Sequence, residues 1–309
     1  MKNKPPVSRR EFLKFAAATA ILNSTRITLH AADNEKILRT IPGTQEKLAI
    51  IGLGSYKTFD ISTDQIEGSE LTAVMRNFFE HGGQVIDSSP MYGNSESIIG
   101  ELIKRTVAKR EYFAATKVWT DGRESGLEQI NSSMRKMSVE VMDLMQIHNL
   151  RDWKTHLQTL REFKSEGKVR YIGITTSGGR RHDDLAQILK TEDFDFVQFT
   201  YNILDRGAEK SLFPIVRDRG LGTLINVPFQ KGALFDKVRG ARLPDWAAQF
   251  DCSSWAQFFL KFIGSHPDVT VIIPATSSTR HIVDNMGAGL GRLPDADMRQ
   301  RMIRHMESL

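Results

Sequence analysis

Asp87, Tyr92, Lys117 and His148 are the residues of this chain whose types and order could do chemistry together. Each stands at or just past the end of a short apolar run. Val85-Ile86 leads into Asp87, with Tyr92 in the loop that follows; Tyr112 to Thr116 leads into Lys117, and Val141 to Ile147 leads into His148. A tyrosine at its ordinary pKa of about 10 is a poor acid near neutral pH. A neighbouring ammonium favours the phenolate and lowers that pKa, while a carboxylate paired with the ammonium holds it in place. Tyr92 as proton donor, Lys117 as its activator and Asp87 as the partner of Lys117 supply these parts. His148 is left to donate a hydrogen bond to the accepting oxygen or to orient the Tyr92 proton. Singly the same residues have ordinary uses: a structural Asp87–Lys117 ion pair, a loop aromatic, a histidine capping a carbonyl.

Three strand ends meet on one face when the strands are parallel, as at the top of a parallel barrel. Candidate strands are Ile50 to Gly52, Val85 to Asp87, Tyr112 to Thr116, Val141 to Gln146, Val169 to Thr175, Phe196 to Thr200, Gly222 to Val227 and Val269 to Ile273. Amphipathic stretches lie between them, among them Leu71 to Glu80, Leu127 to Met137, His156 to Glu166, Leu185 to Leu189 and Trp255 to Ile263. The internal runs are apolar on both faces, as strands covered by helices should be. Eight such strands alternating with helices predict an α/β fold closed as a (β/α)8 TIM barrel rather than an open sheet. Ile37 to Ile41 and Leu48 to Ile51, flanking Pro42-Gly43-Thr44, predict an N-terminal β-hairpin; Asp295 to Leu309 predicts a charged C-terminal helix against the barrel wall. Met134, Met137, Met142 and Met145 read as core fillers.

The stretch Val85 to Gly100 (VIDSSPMYGNSESIIG), with Lys117 in ATKVW and His148 in DLMQIHN, resembles the aldo-keto reductase family. The likeness continues through Gly167 to Thr175, Asp195 to Asn202, Pro228 to Leu234 and Ile273 to Asn285, and so covers nearly everything after residue 36. It implies that Asp87, Tyr92, Lys117 and His148 form the family's catalytic tetrad, that the hairpin plugs the barrel bottom, and that the reaction is reduction of an aldehyde or ketone to an alcohol. The cofactor implied is a nicotinamide nucleotide, usually NADPH, extended across the barrel mouth. No G-x-G-x-x-G follows the first strand, so a Rossmann site is not indicated.

By position in the family pattern, Gln198 matches the residue that bonds the nicotinamide amide, and Thr175 and Thr176 fall where a polar pair serves the same amide. Thr276, His281 and Asn285 match residues that hold the adenosine phosphate and adenine, with Arg280 adjacent. The run Thr276 to Thr279 precedes the last barrel helix, where backbone N–H groups suit an anion, although such runs are also ordinary helix caps. Trp119 matches a substrate-pocket aromatic; a core tryptophan is the plainer use. The chain departs from the pattern at Thr176, shorter than asparagine, at Asn226, where many members stack an aromatic on the nicotinamide, at Val227, in place of a polar residue, and at Ala275, in place of glycine or lysine. Gly178 to Arg181 is either a loop over the pocket or a solvated turn. Two rivals remain: a lyase or isomerase with Lys117 as Schiff-base nucleophile, and a non-catalytic nicotinamide-binding module.

The 309 residues suit one barrel. The net charge of +5 points to nucleic acid only if it is spread over the body, and it is not. Residues 1–32 hold six Lys or Arg against one acid, leaving 36 of each sign in the rest. No basic stripe for a phosphate backbone is expected. The leader reads Ser8-Arg9-Arg10-Glu11-Phe12-Leu13-Lys14 before the apolar Phe15 to Leu22. It matches a twin-arginine export signal and is too short for a stable membrane span; the alternative is an amphipathic helix of a cytosolic protein. Cleavage is expected after Ala31 or Ala32. The expected organisation is therefore a signal peptide over 1–32 and a reductase domain over 37–309, exported folded to the periplasm by the twin-arginine machinery and working as a monomer on a small carbonyl substrate. Cys252 is the sole cysteine, so no intramolecular disulfide forms, and it reads as a packing residue. No metal ligand set is assigned.

Overall fold

The computed structural model describes residues 35–106 and 112–309. The expected signal peptide lies outside the described residues. A two-stranded antiparallel hairpin, β1 (Leu38–Thr40) and β2 (Lys47–Ala49), comes first. Eight parallel strands follow: β3 (Leu53–Gly54), β4 (Val85–Asp87), β5 (Phe113–Val118), β6 (Met142–Ile147), β7 (Val169–Thr175), β8 (Phe196–Thr200), β9 (Gly222–Asn226) and β10 (Val271–Ile272). Each pairs with the next in sequence. Parallel bridges Ile51↔Ile272 and Gly54↔Ala275 join the last strand to the first, and the Gly54 N–H donates to Pro274 O at 3.0 Å. The predicted TIM barrel with its hairpin is thus the observed architecture. The first strand falls later than the predicted Ile50 to Gly52, because on its closing side it meets a two-residue partner through isolated bridges.

Helices wrap the outside. The first, α1 (Leu71–Glu80), buries Leu71, Val74, Met75, Phe78 and Phe79, an i, i+3, i+4 stripe of the kind that faces a core. Helix α2 (Ser95–Thr106) follows β4, and α3 (Arg123–Lys136), α4 (Trp153–Ser165) and α5 (His182–Thr191) follow the next three strands. Short helices α6 (Ala208–Ser211), α7 (Phe213–Arg219) and α8 (Ala233–Lys237) precede α9 (Trp255–Gly264), α10 (Thr279–Gly287) and the C-terminal α11 (Ala296–Ser308). The last is capped by Asp295, whose side chain accepts from the Met298 N–H, and it packs through Met302, Ile303 and Met306.

Two apolar layers result. The larger lies between strands and helices and takes in all four methionines read as core fillers, together with Cys252. The smaller fills the barrel and comprises Val85, Phe113, Ala115, Leu144, Phe196, Leu224, Val271 and Ile273, with Ile41 and Leu48 of the hairpin segment packed into it. The hairpin therefore closes one end. Side chains alternate along a strand, so continuing the inward set by twos reaches Asp87, Lys117, Gln146, Gln198 and Asn226 at the other end. On these five strands the interior changes from apolar to polar within one or two residues of the strand terminus. Room for that polar layer is made partly by Gly173, where a Cβ would stand 3.0 Å from Gln146 Cγ and 3.1 Å from Phe196 O.

Candidate active site

The strand ends place a buried ion pair under a cavity. Lys117 Nζ donates to Asp87 Oδ2 at 2.5 Å and to Ser88 O at 2.6 Å, and the lysine side chain is fully buried. Asp87 Oδ1 accepts from Gln146 Nε2 and from Gln198 Nε2, both at 3.0 Å. Gln198 also donates to Gln146 Oε1 at 3.2 Å and accepts from Asn226 Nδ2 at 3.3 Å, while Thr200 Oγ1 donates to Asn226 Oδ1 at 2.5 Å. One hydrogen-bonded floor thus joins five strands. A charge pair this deep holds together only when its remaining lone pairs are satisfied, and the amides do that. Burial alone would depress the Lys117 ammonium, but Asp87 and Tyr92 outweigh it and raise the pKa, so the lysine stays charged.

Above this floor lies a cavity of about 540 Å³. Asp87, Tyr92, His148, Thr175, Gln198 and Asn226 line it, along with Lys57, Arg180 and Lys231 at its mouth. The Tyr92 ring packs edge-on against Tyr56 at 5.0 Å and against His148 at 5.8 Å, with Lys117 Nζ 5.0 Å from its centroid. The four tetrad residues thus come together as the resemblance implies. One expectation is corrected. Lys117 does act to lower the Tyr92 pKa, but desolvation by burial is the larger effect and the net shift is upward. Tyr92 therefore holds its proton firmly in the free protein. Burial, aided by the Lys117 charge, pushes His148 down to about 3, so its imidazole is neutral. Its Nδ1 lies 3.0 Å from Ser89 Oγ.

Other expected residues lie around the rim. Thr175 Oγ1 accepts from the Asn149 N–H at 3.0 Å, and Thr176 Oγ1 is buried with no hydrogen-bond partner among the described residues. Val227, which is β-branched, sits at φ +52° in the left-handed region, a strained conformation of the kind found at ligand-binding loops. Gly178 to Arg181 is more than a solvated turn: the Gly178 N–H donates to Thr200 Oγ1 at 2.8 Å, and Arg180 reaches the cavity. Thr276 and Asn285 are buried and Arg280 and His281 exposed, all four outside the cavity lining, on the side where Ala275 borders it. The anion position expected at this helix start is already filled, since the Thr279 N–H donates to Glu70 Oε2 at 2.7 Å.

Trp119 does not line the cavity. Its ring lies 6.3 Å from His148, under the Arg151 guanidinium at 4.9 Å, which is itself held by Asp121. The indole is half-buried beside the histidine. Gln146, Ser89 and Thr200 escaped the sequence reading. The alternation along each strand is the signal that could have found Gln146 and Thr200, because both share the inward parity of the tetrad.

The chain belongs to the aldo/keto reductase family, whose sequence model matches residues 50–302. The NADH-specific methylglyoxal reductase of Escherichia coli is 25% identical over 274 residues, covering 70% of this chain and 81% of that protein. The glyoxal reductase of Bacillus subtilis is 25% identical over 238 residues, covering 76% and 80%. Among solved structures, aldo-keto reductase AKR11C1 from Bacillus halodurans superposes with a TM-score of 0.71 at 20% identity, covering 88% of this chain and 96% of that one. An aldo/keto reductase from Klebsiella pneumoniae in complex with NADP and acetate gives 0.71 at 21%, covering 88% and 95%. The chain is an oxidoreductase of this family.

Proposed function

We propose that the protein reduces a small aldehyde or ketone to the alcohol with NADPH, and that Tyr92 supplies the proton. The observation that carries this reading is the placement of a firmly protonated Tyr92 and a neutral His148 on one cavity wall, over a lysine kept cationic by Asp87. The residues present fit a nicotinamide nucleotide. Lys57, Arg180 and Lys231 bring three cations without carboxylate partners among the described residues to the mouth, which suits a polyanion. The unpartnered Thr176 hydroxyl, with Thr175, Gln198 and Asn226, would hold the nicotinamide amide; Thr276, Arg280, His281 and Asn285 would hold the adenosine end. When bound, the cofactor supplies a hydride to the carbonyl carbon.

The chain's own residues handle the proton. As charge grows on the carbonyl oxygen, the Tyr92 hydroxyl transfers its proton there, and the Lys117 ammonium stabilises the phenolate that remains. Asp87, tied to Gln146 and Gln198, keeps that ammonium aimed. His148 donates a hydrogen bond to the same oxygen. Solvent then returns a proton to Tyr92. The Schiff-base rival needs a neutral, reachable amine, and Lys117 is neither.

NADPH oxidation followed with a panel that includes methylglyoxal, glyoxal and larger aldehydes tests the proposal. Carbonyl-dependent oxidation is expected. No oxidation with any probe, together with borohydride trapping of a carbonyl on Lys117, would favour the lyase. We also propose that residues 1–32 direct folded export to the periplasm and that residues 37–309 form the enzyme, on the strength of the Ser8 to Lys14 motif.

A further inference from the structure

We propose that Ser89 is a positioning residue that fixes His148 as its Nε2–H tautomer, so that the hydrogen offered to a substrate oxygen sits on the nitrogen away from the barrel wall. The argument counts protons. Ser89 is fully buried just past the end of β4, and its Oγ makes two contacts: the Met91 N–H donates to it at 3.2 Å, and His148 Nδ1 lies 3.0 Å away. A hydroxyl has one proton to give and two lone pairs to offer. The Met91 amide can only donate, so it takes a lone pair.

The imidazole contact then runs one of two ways. If His148 gave a proton from Nδ1, the Ser89 proton would be left buried with no acceptor among the described residues, and buried donors are rarely left so. If Ser89 gives its proton to Nδ1, every proton has a partner. The ring is neutral, because burial and the nearby Lys117 charge keep a second proton off it. A neutral imidazole has a single N–H, so accepting at Nδ1 places that hydrogen on Nε2. His148 lines the cavity, and Nε2 has no partner within the described protein. In the other tautomer Nε2 would present a lone pair, which repels a carbonyl oxygen instead of binding it. The serine therefore decides the sign of the interaction, beyond anchoring the ring.

The effect on turnover rests on the reading of the site as a carbonyl reductase; the tautomer is a property of the free protein and can be measured without it. Nitrogen-15 histidine labelling and two-bond correlation spectra, with the His148 signals identified by their loss in His148→Asn, should show Nε2–H in the wild type and a mixture in Ser89→Ala. In single-turnover reduction of a carbonyl by bound NADPH, Ser89→Ala should be slowed about two- to tenfold, the worth of one buried hydrogen bond, with the NADPH Kd unchanged and the rate restored in Ser89→Thr. A wild-type Nδ1–H tautomer would overturn the proposal, as would a Ser89→Ala protein with an unaltered spectrum and rate. If the variants fail to fold, the wild-type spectrum still decides. Finding Nε2–H in a protein that reduces no carbonyl would sink the functional reading and leave the tautomer assignment standing.

Discussion

Lys117 Nζ and Asp87 Oδ2 lie 2.5 Å apart with neither side chain more than 3% exposed, so the charge beneath Tyr92 has almost no access to water. Removing one member of such a pair leaves a buried charge uncompensated. Asp87→Asn or Lys117→Met should each cost about 3–5 kcal/mol of stability as well as activity. The double variant should recover much of the stability and none of the activity. Urea unfolding of the three proteins checks this, and additive losses in the double variant would show that the two charges do not interact.

Tyr92→Phe should lower carbonyl reduction by about 10²–10⁴-fold and leave NADPH binding nearly intact. The pH dependence follows from the shifts. On the proposed mechanism Tyr92 acts in its protonated form, and burial raises its pKa above 10, so activity should be lost only as pH climbs beyond that. On the same mechanism His148 acts neutral, and it takes a proton only near pH 3. A flat rate profile from pH 6 to 9 is expected under single-turnover conditions. A step near pH 6.5 would mean that His148 titrates as an exposed histidine does.

Glu96 accepts a hydrogen bond from Thr116 Oγ1 at 2.6 Å, its other oxygen is buried without a partner among the described residues, and burial raises its pKa. A carboxyl raised on folding contributes stability in full below its unfolded pKa of about 4.3, and that contribution is lost as pH rises through the folded value. Glu96→Gln keeps the acceptor and removes the ionisation. Its Tm relative to wild type should therefore improve from pH 5 to pH 8. A difference independent of pH would show that the Glu96 pKa does not rise on folding.

Glu70 holds the Thr279 N–H that a cofactor phosphate at the start of α10 would use. Glu70→Gln removes a negative charge there and should tighten NADPH about two- to fivefold, the worth of one charge at a helix end, with less change for NADH. Fluorescence titration with both cofactors measures it. Equal effects on the two would place the adenosine 2′-phosphate elsewhere.

Arg9→Lys with Arg10→Lys keeps the leader's charge and removes the paired arginines that, on the export proposal, a receptor reads. The double variant should stay in the cytoplasm as active, soluble enzyme. Fractionation of expressing cells decides; periplasmic delivery of the variant would assign the leader to another export route, and a cytoplasmic wild type would end the export proposal.

The barrel and the convergence of Asp87, Tyr92, Lys117 and His148 were legible in the amino-acid sequence because both are written locally. Strands β7 and β8 and helix α1 coincide with the runs Val169 to Thr175, Phe196 to Thr200 and Leu71 to Glu80. Asp87, Tyr92, Lys117 and His148 are each tied to a strand end that such a run announces. Properties that depend on what lies across the barrel were not legible. Asp87 meets residues 30, 59 and 111 positions away, Glu70 meets Thr279 across 209, and no local pattern records those partners. The upward shift of Tyr92, the downward shift of His148 and the buried contact between Ser89 and His148 all follow from burial, which closure of the barrel creates and which only the assembled tertiary structure decides.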